Sequence, residues 1–385
     1  MSNEPIRILN VVGLMSPGGI ETLIMNVYRN IDRTKVQFDF LVHKGQKGLF
    51  DDEIIKMGGR IFWMPKLRDG NKTNYFNYFK YKKALKTFFK NHPEYHVLHG
   101  HMTNTASIYM PIAKKYGKVT CCIAHSHLTQ ARPGLSGFIT NLLHKRVPKV
   151  ATDYFACSEM AARWIFKQKD IDNGKVKIIK NGVDPNIFFY DKDEAISIKK
   201  ELCLEGKIVI GNVARFKKEK NHSFQIEIIK NLVKINKNYV LLLVGDGELK
   251  EEIETKVRDA NLTDNVRFLG VRSDVNKLML AMDLFLLPSL YEGLPVVGIE
   301  AQAAGLLVYT STGVTRETDI TGNVRFLDLN LGASAWANEI DTGLKSFKRV
   351  DVRDYINQNG YNIVRTATWL QDFYLQKYND GNKNH

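Results

Sequence analysis

Cysteine is scarce in this chain: there are four in 385 residues, Cys121, Cys122, Cys157 and Cys203, and none has the paired spacing that holds zinc. A disulfide framework and a zinc module are therefore excluded, and the four read as reduced residues of a core. Long apolar runs are missing as well, since no stretch approaches the ~18 uncharged apolar residues of a spanning helix. The start, MSNEPIRILNVVG, places Glu4 early and runs straight into a strand. It lacks the basic-then-apolar build of a secretory leader, so the expected compartment is the cytoplasm. Repeats and low-complexity tracts are also absent. So is the dinucleotide fingerprint G-x-G-x-x-G: its spacing fails after Gly13, and it fails again in VGDGELK, where the third position is Lys250.

What is present suits a soluble globular protein of two ordinary domains, with 44% hydrophobic and 25% charged residues. The net charge of +14 is unevenly placed. Residues 1–190 hold 29 Lys+Arg against 14 Asp+Glu, whereas the remainder holds 26 against 27. The excess concentrates in residues 56–90. There Tyr75, Phe76, Tyr78, Phe79, Tyr81, Leu85, Phe88 and Phe89 interleave with Lys80, Lys82, Lys83, Lys86 and Lys90. An anionic membrane surface suits such a helix. An amphipathic core helix with a solvated lysine face suits the pattern equally. Nucleic acid is the third reading of the same charge and is not adopted.

Short apolar runs alternate with helix-like segments throughout, the pattern of parallel sheets flanked by helices. IRILNVVG, VQFDFLVH, RIFWMP, HVLHGHM, VTCCIAH, DYFACS and KVKIIKNG are the expected strands of a first domain, residues 1–190. A polar connector follows, with the break inside 181–205. KIVIGNVARF, YVLLLVGDG, VRFLGV, LFLLPS and LLVYTS are those of a second domain, residues 191–360. The fold class is α/β with two doubly wound domains. Ligands in such sheets bind outside the carboxyl ends of strands, where the motifs fall.

PSLYEGLPVVGIEAQAAG places Glu292 in a strand-to-helix turn and Glu300 inside the following helix, with Pro295 at its first position and Gly305 just past its end. Eight helical residues span roughly 12 Å, more than the roughly 5–9.5 Å of a hydrolytic carboxylate pair. The two glutamates therefore suit separate parts of one extended ligand. The amides of Gly293 and Leu294 crowd a helix N-terminus that attracts phosphate. Against this stands an ordinary first-turn acid and an exposed helix residue. Gly18 and Gly19, before a helix near Glu21, bring bare amides to a turn. NVARFKKEKNH supplies Arg215 and Lys220, a bidentate fork and a mobile ammonium suited to a diphosphate, while Lys217 and Lys218 read as a solvated loop. AHSHLT ends a strand with His125 and His127 on one face, suited to a substrate hydroxyl or a backbone carbonyl more than to metal. The D-x-D triplets at Asp170–Asp172 and Asp191–Asp193 read as solvated turns.

Taken together, GGIE, FACSE, NGVD, ARFKKEKNH, VGDGELK, RFLGVRSDV and the E-x7-E pair Glu292 and Glu300 stand in one order along nearly the whole chain. This set resembles the retaining GT-B glycosyltransferases of glycosyltransferase family 4, of the bacterial capsular and exopolysaccharide type. The resemblance implies two Rossmann-like domains facing across a cleft, with a C-terminal helix, 361–385, returning to the first. It implies transfer of a sugar, with retention, from a nucleotide-sugar such as a UDP-sugar to a glycan or polyprenyl-linked acceptor, with no cofactor and no metal. Glu300 would hold the ribose, Glu292 with Gly293 and Leu294 the donor sugar, and Arg215 and Lys220 the leaving diphosphate. Phe268 to Gly270 would lie against the base and Gly18 and Gly19 near the phosphates. His127, with His125 as the close alternative, would lie beside the reacting sugar. Ala214 stands where the family usually has glycine. A cytoplasmic enzyme peripheral to the inner face of the plasma membrane through residues 56–90 would reach a lipid-linked acceptor. The other readings that stay open are a GT-B epimerase acting on UDP-N-acetylglucosamine and a non-catalytic nucleotide-sugar-binding partner.

Overall fold

The computed structural model describes residues 4–383 apart from 17, 44, 67, 70–71, 74 and 128–142. Leu128 and Thr129 of AHSHLT therefore lie outside the described residues. The chain divides into two compact units, Met1–Gly182 together with Ile363–His385, and Val183–Asn362.

The first unit is built on β1 (Ile6–Val12), β2 (Val36–Val42) and β3 (Ile61–Trp63), then a small ribbon of β4 (Arg68–Asp69) and β5 (Lys72–Thr73). β6 (Val97–Gly100), β7 (Cys121–Ser126), β8 (Asp153–Ala156) and β9 (Val176–Ile178) follow. Its main sheet is parallel, in the order β3-β2-β1-β6-β7-β8-β9. Both faces are covered. Ile8, Val97, Cys121 and Ile123 pack with residues of the helices Gly19–Asn30 and Ile363–Lys383. Leu9, Leu98, Cys122 and Ala124 pack with those of Tyr75–Asn91 and Thr103–Tyr116. A strand buried on both sides has no polar face, which is why these segments read as continuous apolar runs.

The second unit repeats the plan with β10 (Ile208–Val213), β11 (Tyr239–Val244), β12 (Val266–Gly270), β13 (Leu284–Leu287), β14 (Leu307–Ser311) and β15 (Val324–Leu327). Its parallel order is β12-β11-β10-β13-β14-β15. In each unit the winding direction reverses once, between β1 and β6 and between β10 and β13. Those two switch points are where a doubly wound sheet opens a crevice at its carboxyl edge.

Several expectations need correction. The connector is not merely polar: Asp191 caps a helix, Lys192–Glu201, by accepting the Glu194 N–H at 2.8 Å, and Ala195 and Ile198 are buried. The second D-x-D triplet is thus a helix start. In the first triplet Asp170 is buried in a short helix and pairs with Lys175 at 3.7 Å. Cys203 is no core residue but is exposed, at a left-handed turn with φ 51°. Pro295 precedes the helix Val296–Ala303 as its cap residue, one position earlier than expected, and Gly305 ends it with φ 72°. β15 is an additional strand, four residues long with Arg325 exposed, too short and too polar to stand out as an apolar run.

The helix Tyr75–Asn91 buries Tyr81, Leu85, Phe88 and Phe89 and exposes Lys80, Lys83, Lys86 and Lys90, with Phe79 also exposed. Among the described residues, no helix is long and apolar enough to cross a membrane.

Candidate functional site

In the second unit the turns after β10 and β13 are tied together at the switch point. After β10 the chain runs through exposed Arg215 and a short 3-10 turn, Lys218–Lys220, into Asn221, whose left-handed φ of 54° redirects it into the helix His222–Ile235. After β13 it turns through Pro288 to Glu292. The Lys220 ammonium pairs with Glu292 Oε1, and the two side chains are only 22% and 15% exposed. Ser289 Oγ donates to the same oxygen at 3.0 Å. Backbone bonds hold the turns in place: Leu290 N–H to Glu219 O at 2.8 Å and Glu292 N–H to Gly313 O at 3.2 Å. Asn221 Nδ2 donates to Pro288 O at 3.1 Å. Gly313 is required there, because a Cβ would lie 2.2 Å from Leu290 O.

The glycines of VGDGELK have a similar duty. Gly245 and Gly247 have φ of 136° and 159°, and a Cβ on either would meet Ala214 O at 2.1 Å or Phe216 backbone within 2.7 Å. They let the turns after β10 and β11 touch, with Phe216 N–H donating to Asp246 O at 3.0 Å. Gly245 N–H in turn donates to Gly270 O at 2.8 Å, so the end of β12 joins the group. Gly270 sits at φ 65°, beyond a register shift opposite Leu243 and Val244. Phe268 stacks on Phe216 at 5.9 Å, and Phe216 on His222 at 4.2 Å. Gly293 is exposed with open space around it, and Leu294 is half-buried. Glu300 is half-buried, and desolvation of its carboxyl pushes its pKa up to about 7.

In the first unit Gly18 is extended, with φ −167°, and precedes the helix that Gly19 begins. Glycine gives clearance here, since a Cβ on Gly18 would lie 2.6 Å from Glu21 Oε2. Asn181 of the NGVD motif reaches the same turn, its Nδ2 donating to Gly19 O at 3.5 Å.

The carboxyl ends of β6 and β7 carry a cluster that the sequence reading only half found. His125 and His127 do share a face, but His99 and His101 stand beside them. The pairing of His99 with Ile123 and Gly100 with Ala124 in register sets HGH against AHSH. His99 Nε2 lies 3.1 Å from His125 Nδ1, and His101 Nδ1 lies 3.0 Å from His127 Nε2. Burial pushes His99 and His127 down to about 3, and His101 and His125 well below the ordinary value, so all four rings are neutral. His125 is 1% exposed beneath the returning helix, whereas His127 follows the end of β7 and is half-buried. The signal for the missed pair was present in HGH, a second H-x-H at a strand end.

Two Rossmann-like units, with charged and glycine-bearing turns at their switch points, define the GT-B architecture. Residues 17–187 match the family model Glycosyltransferase Family 4, and residues 193–362 match Glycosyl transferases group 1. The chain belongs to the GT-B glycosyltransferases. It is 32% identical over 381 residues to "Putative glycosyltransferase EpsF" of Bacillus subtilis (strain 168), with 97% of each chain covered. An Escherichia coli relative, UDP-Gal:alpha-D-GlcNAc-diphosphoundecaprenol alpha-1,3-galactosyltransferase, is 26% identical, with 82% of this chain and 84% of that protein covered. In fold, the chain is similar to Anabaena Alr3699/HepE, solved in complex with UDP. The TM-score is 0.73 at 17% identity, with 97% of this chain and 100% of that one covered.

Proposed function

We propose that the protein transfers a hexose, with retention, from a UDP-sugar to a lipid-linked glycan during assembly of a capsular or exopolysaccharide. The observation that carries this is the Lys220–Glu292 pair at the switch point between β10 and β13. It presents a cation and a carboxylate from two strand ends, with Arg215 on the same turn after β10. Cleaving a nucleotide-sugar releases a diphosphate, so positive charge on the leaving group is the main help a protein can give. Arg215 and Lys220 supply it without a metal. Glu292 orients Lys220 and, with Gly293 and Leu294, faces the sugar, while Glu300 holds the ribose hydroxyls and Phe268 to Gly270 flank the base. In the first unit Gly18 and Gly19 serve the phosphates and His127 the sugar. In such a site, no protein nucleophile is needed: the departing phosphate takes the acceptor's proton on the face it leaves. The Escherichia coli relative, named for transfer from a UDP-sugar to a diphosphoundecaprenol acceptor, supports the choice of donor and acceptor class. The exposed lysines of the helix Tyr75–Asn91 would hold the protein at an anionic surface where such an acceptor resides.

The test is a thermal-shift screen with UDP, GDP, ADP and their sugar conjugates, followed by transfer assays with and without a chelator. Stabilisation by UDP that is lost in Glu300→Ala, and chelator-resistant transfer to a lipid-linked acceptor, are expected. Isomerised donor in the absence of acceptor would instead establish an epimerase. No response to any nucleotide would overturn the donor site.

A further inference from the structure

The four histidines form two parallel hydrogen-bonded chains. In one, Tyr374 Oη of the helix Ile363–Lys383 lies 2.7 Å from His99 Nδ1, and His99 Nε2 leads to His125. In the other, Asn10 Oδ1 on β1 lies 3.3 Å from His101 Nε2, and His101 Nδ1 leads to His127 Nε2. The chains stack ring on ring, with His99 on His101 at 4.2 Å and His125 on His127 at 4.0 Å. Asn10, His99, His101 and His125 are each under 9% exposed, so water does not compete for most of their polar atoms.

A neutral imidazole carries one N–H and one bare nitrogen, and the partner of either decides which is which. Asn10 Oδ1 can only accept. His101 must therefore donate from Nε2, which leaves its Nδ1 bare. His127 must then donate to it from Nε2, and His127 Nδ1 is left as a lone pair. That nitrogen is buried and has no hydrogen-bond partner among the described residues. Asn10 Nδ2 is likewise unpartnered, and Asn10, His101 and His125 help line a cavity of about 10 Å³. This is the scale of one water, which would accept from Nδ2 and keep Oδ1 turned toward His101.

We propose that Asn10 and His101 are positioning residues that set the tautomer of His127, so that His127 presents Nδ1 as a hydrogen-bond acceptor to a hydroxyl of the sugar. The use of that acceptor rests on the sugar-transfer reading, whereas the tautomer itself does not. Ring nitrogens of His99, His101 and His125 also lie within 4.8 Å of one another, a spacing a metal could use. However, hydrogen bonds already engage both nitrogens of His99 and of His101, so histidine pairing is what the rings are arranged for.

The experiment is long-range 1H–15N correlation on the full chain labelled at histidine, with the His127 signals assigned through His127→Gln. The expected result is a proton on His127 Nε2 and a bare Nδ1 in the wild-type protein. Asn10→Leu should lose this preference, and Asn10→Asp, which still accepts from His101, should keep it. Transfer should fall by about tenfold in Asn10→Leu, the scale of losing a partner that orients an imidazole, and recover in part in Asn10→Asp. A proton on His127 Nδ1 in the wild-type protein would overturn the proposal even if neither variant folds. So would an unchanged His127 signature in Asn10→Leu, or displacement of the histidine bonds by one equivalent of Co2+. If the tautomer follows Asn10 but transfer does not, the use of His127 in catalysis falls, while the nucleotide-sugar reading stands or falls by the thermal-shift screen.

Discussion

Lys220 and Glu292 depend on each other. Removing one partner leaves a largely desolvated charge uncompensated, whereas removing both does not. Lys220→Met should therefore lower stability by about 1–3 kcal/mol in urea unfolding, and Glu292→Gln in the same background should restore most of it. Transfer should fall by about 10²-fold in both, as when one donor to a developing oxyanion is lost. Recovery of activity in the double variant would show that Lys220 has no role beyond the pair. Glu300 gives a test by pH. Its folded-state pKa of about 7 lies above the ordinary 4.5, so between those values the folded protein holds a proton that the unfolded chain has released. Stability is then greatest at low pH and falls as pH rises through this window. Relative to Glu300→Gln, the wild-type protein should lose on the order of 2–3 kcal/mol between about pH 5 and pH 8. A flat difference in urea midpoints would show that the carboxyl is not desolvated.

Among the elements, the helix Tyr75–Asn91 shows how one pattern serves two purposes. Its aromatic stripe supplies Tyr81, Leu85, Phe88 and Phe89 to the core, which accounts for most of what the sequence displays. The lysines left outside are what a membrane would meet. Each contributes about 1 kcal/mol near an anionic surface, so changing Lys80, Lys83, Lys86 and Lys90 to Gln should reduce binding to phosphatidylserine vesicles at low salt at least tenfold, with the melting temperature unchanged. Equal binding by both proteins would remove the membrane role. The turn glycines teach a different lesson. VGDGELK fails the dinucleotide spacing, and its Gly245 and Gly247 are needed instead because the turns after β10 and β11 pass within contact of each other.

At the scale of the molecule, the returning helix Ile363–Lys383 belongs to the first unit, where Ile363, Ala367, Leu370 and Tyr374 are buried. Burying such side chains contributes on the order of 5 kcal/mol, comparable to the whole stability of a domain. A chain ended after Asn362 should therefore lose cooperative unfolding of the first unit, seen as a missing transition by calorimetry. The unit Val183–Asn362 has its own core and should fold when made alone. It should also retain the thermal shift with UDP; loss of that shift would place essential nucleotide contacts elsewhere. The sequence by itself determined the two doubly wound units and the charged turns of the second, because apolar runs and turn motifs are local and the switch point follows from strand order. Arg215, Lys220, Glu292 and Glu300 were legible for that reason. The tertiary structure alone decided that Lys220 pairs with Glu292, that HGH stands against AHSH, and that Asn10 and Tyr374 complete the histidine chains. Those partners are far apart in the chain, and only strand register and helix packing bring their polar atoms within hydrogen-bond reach.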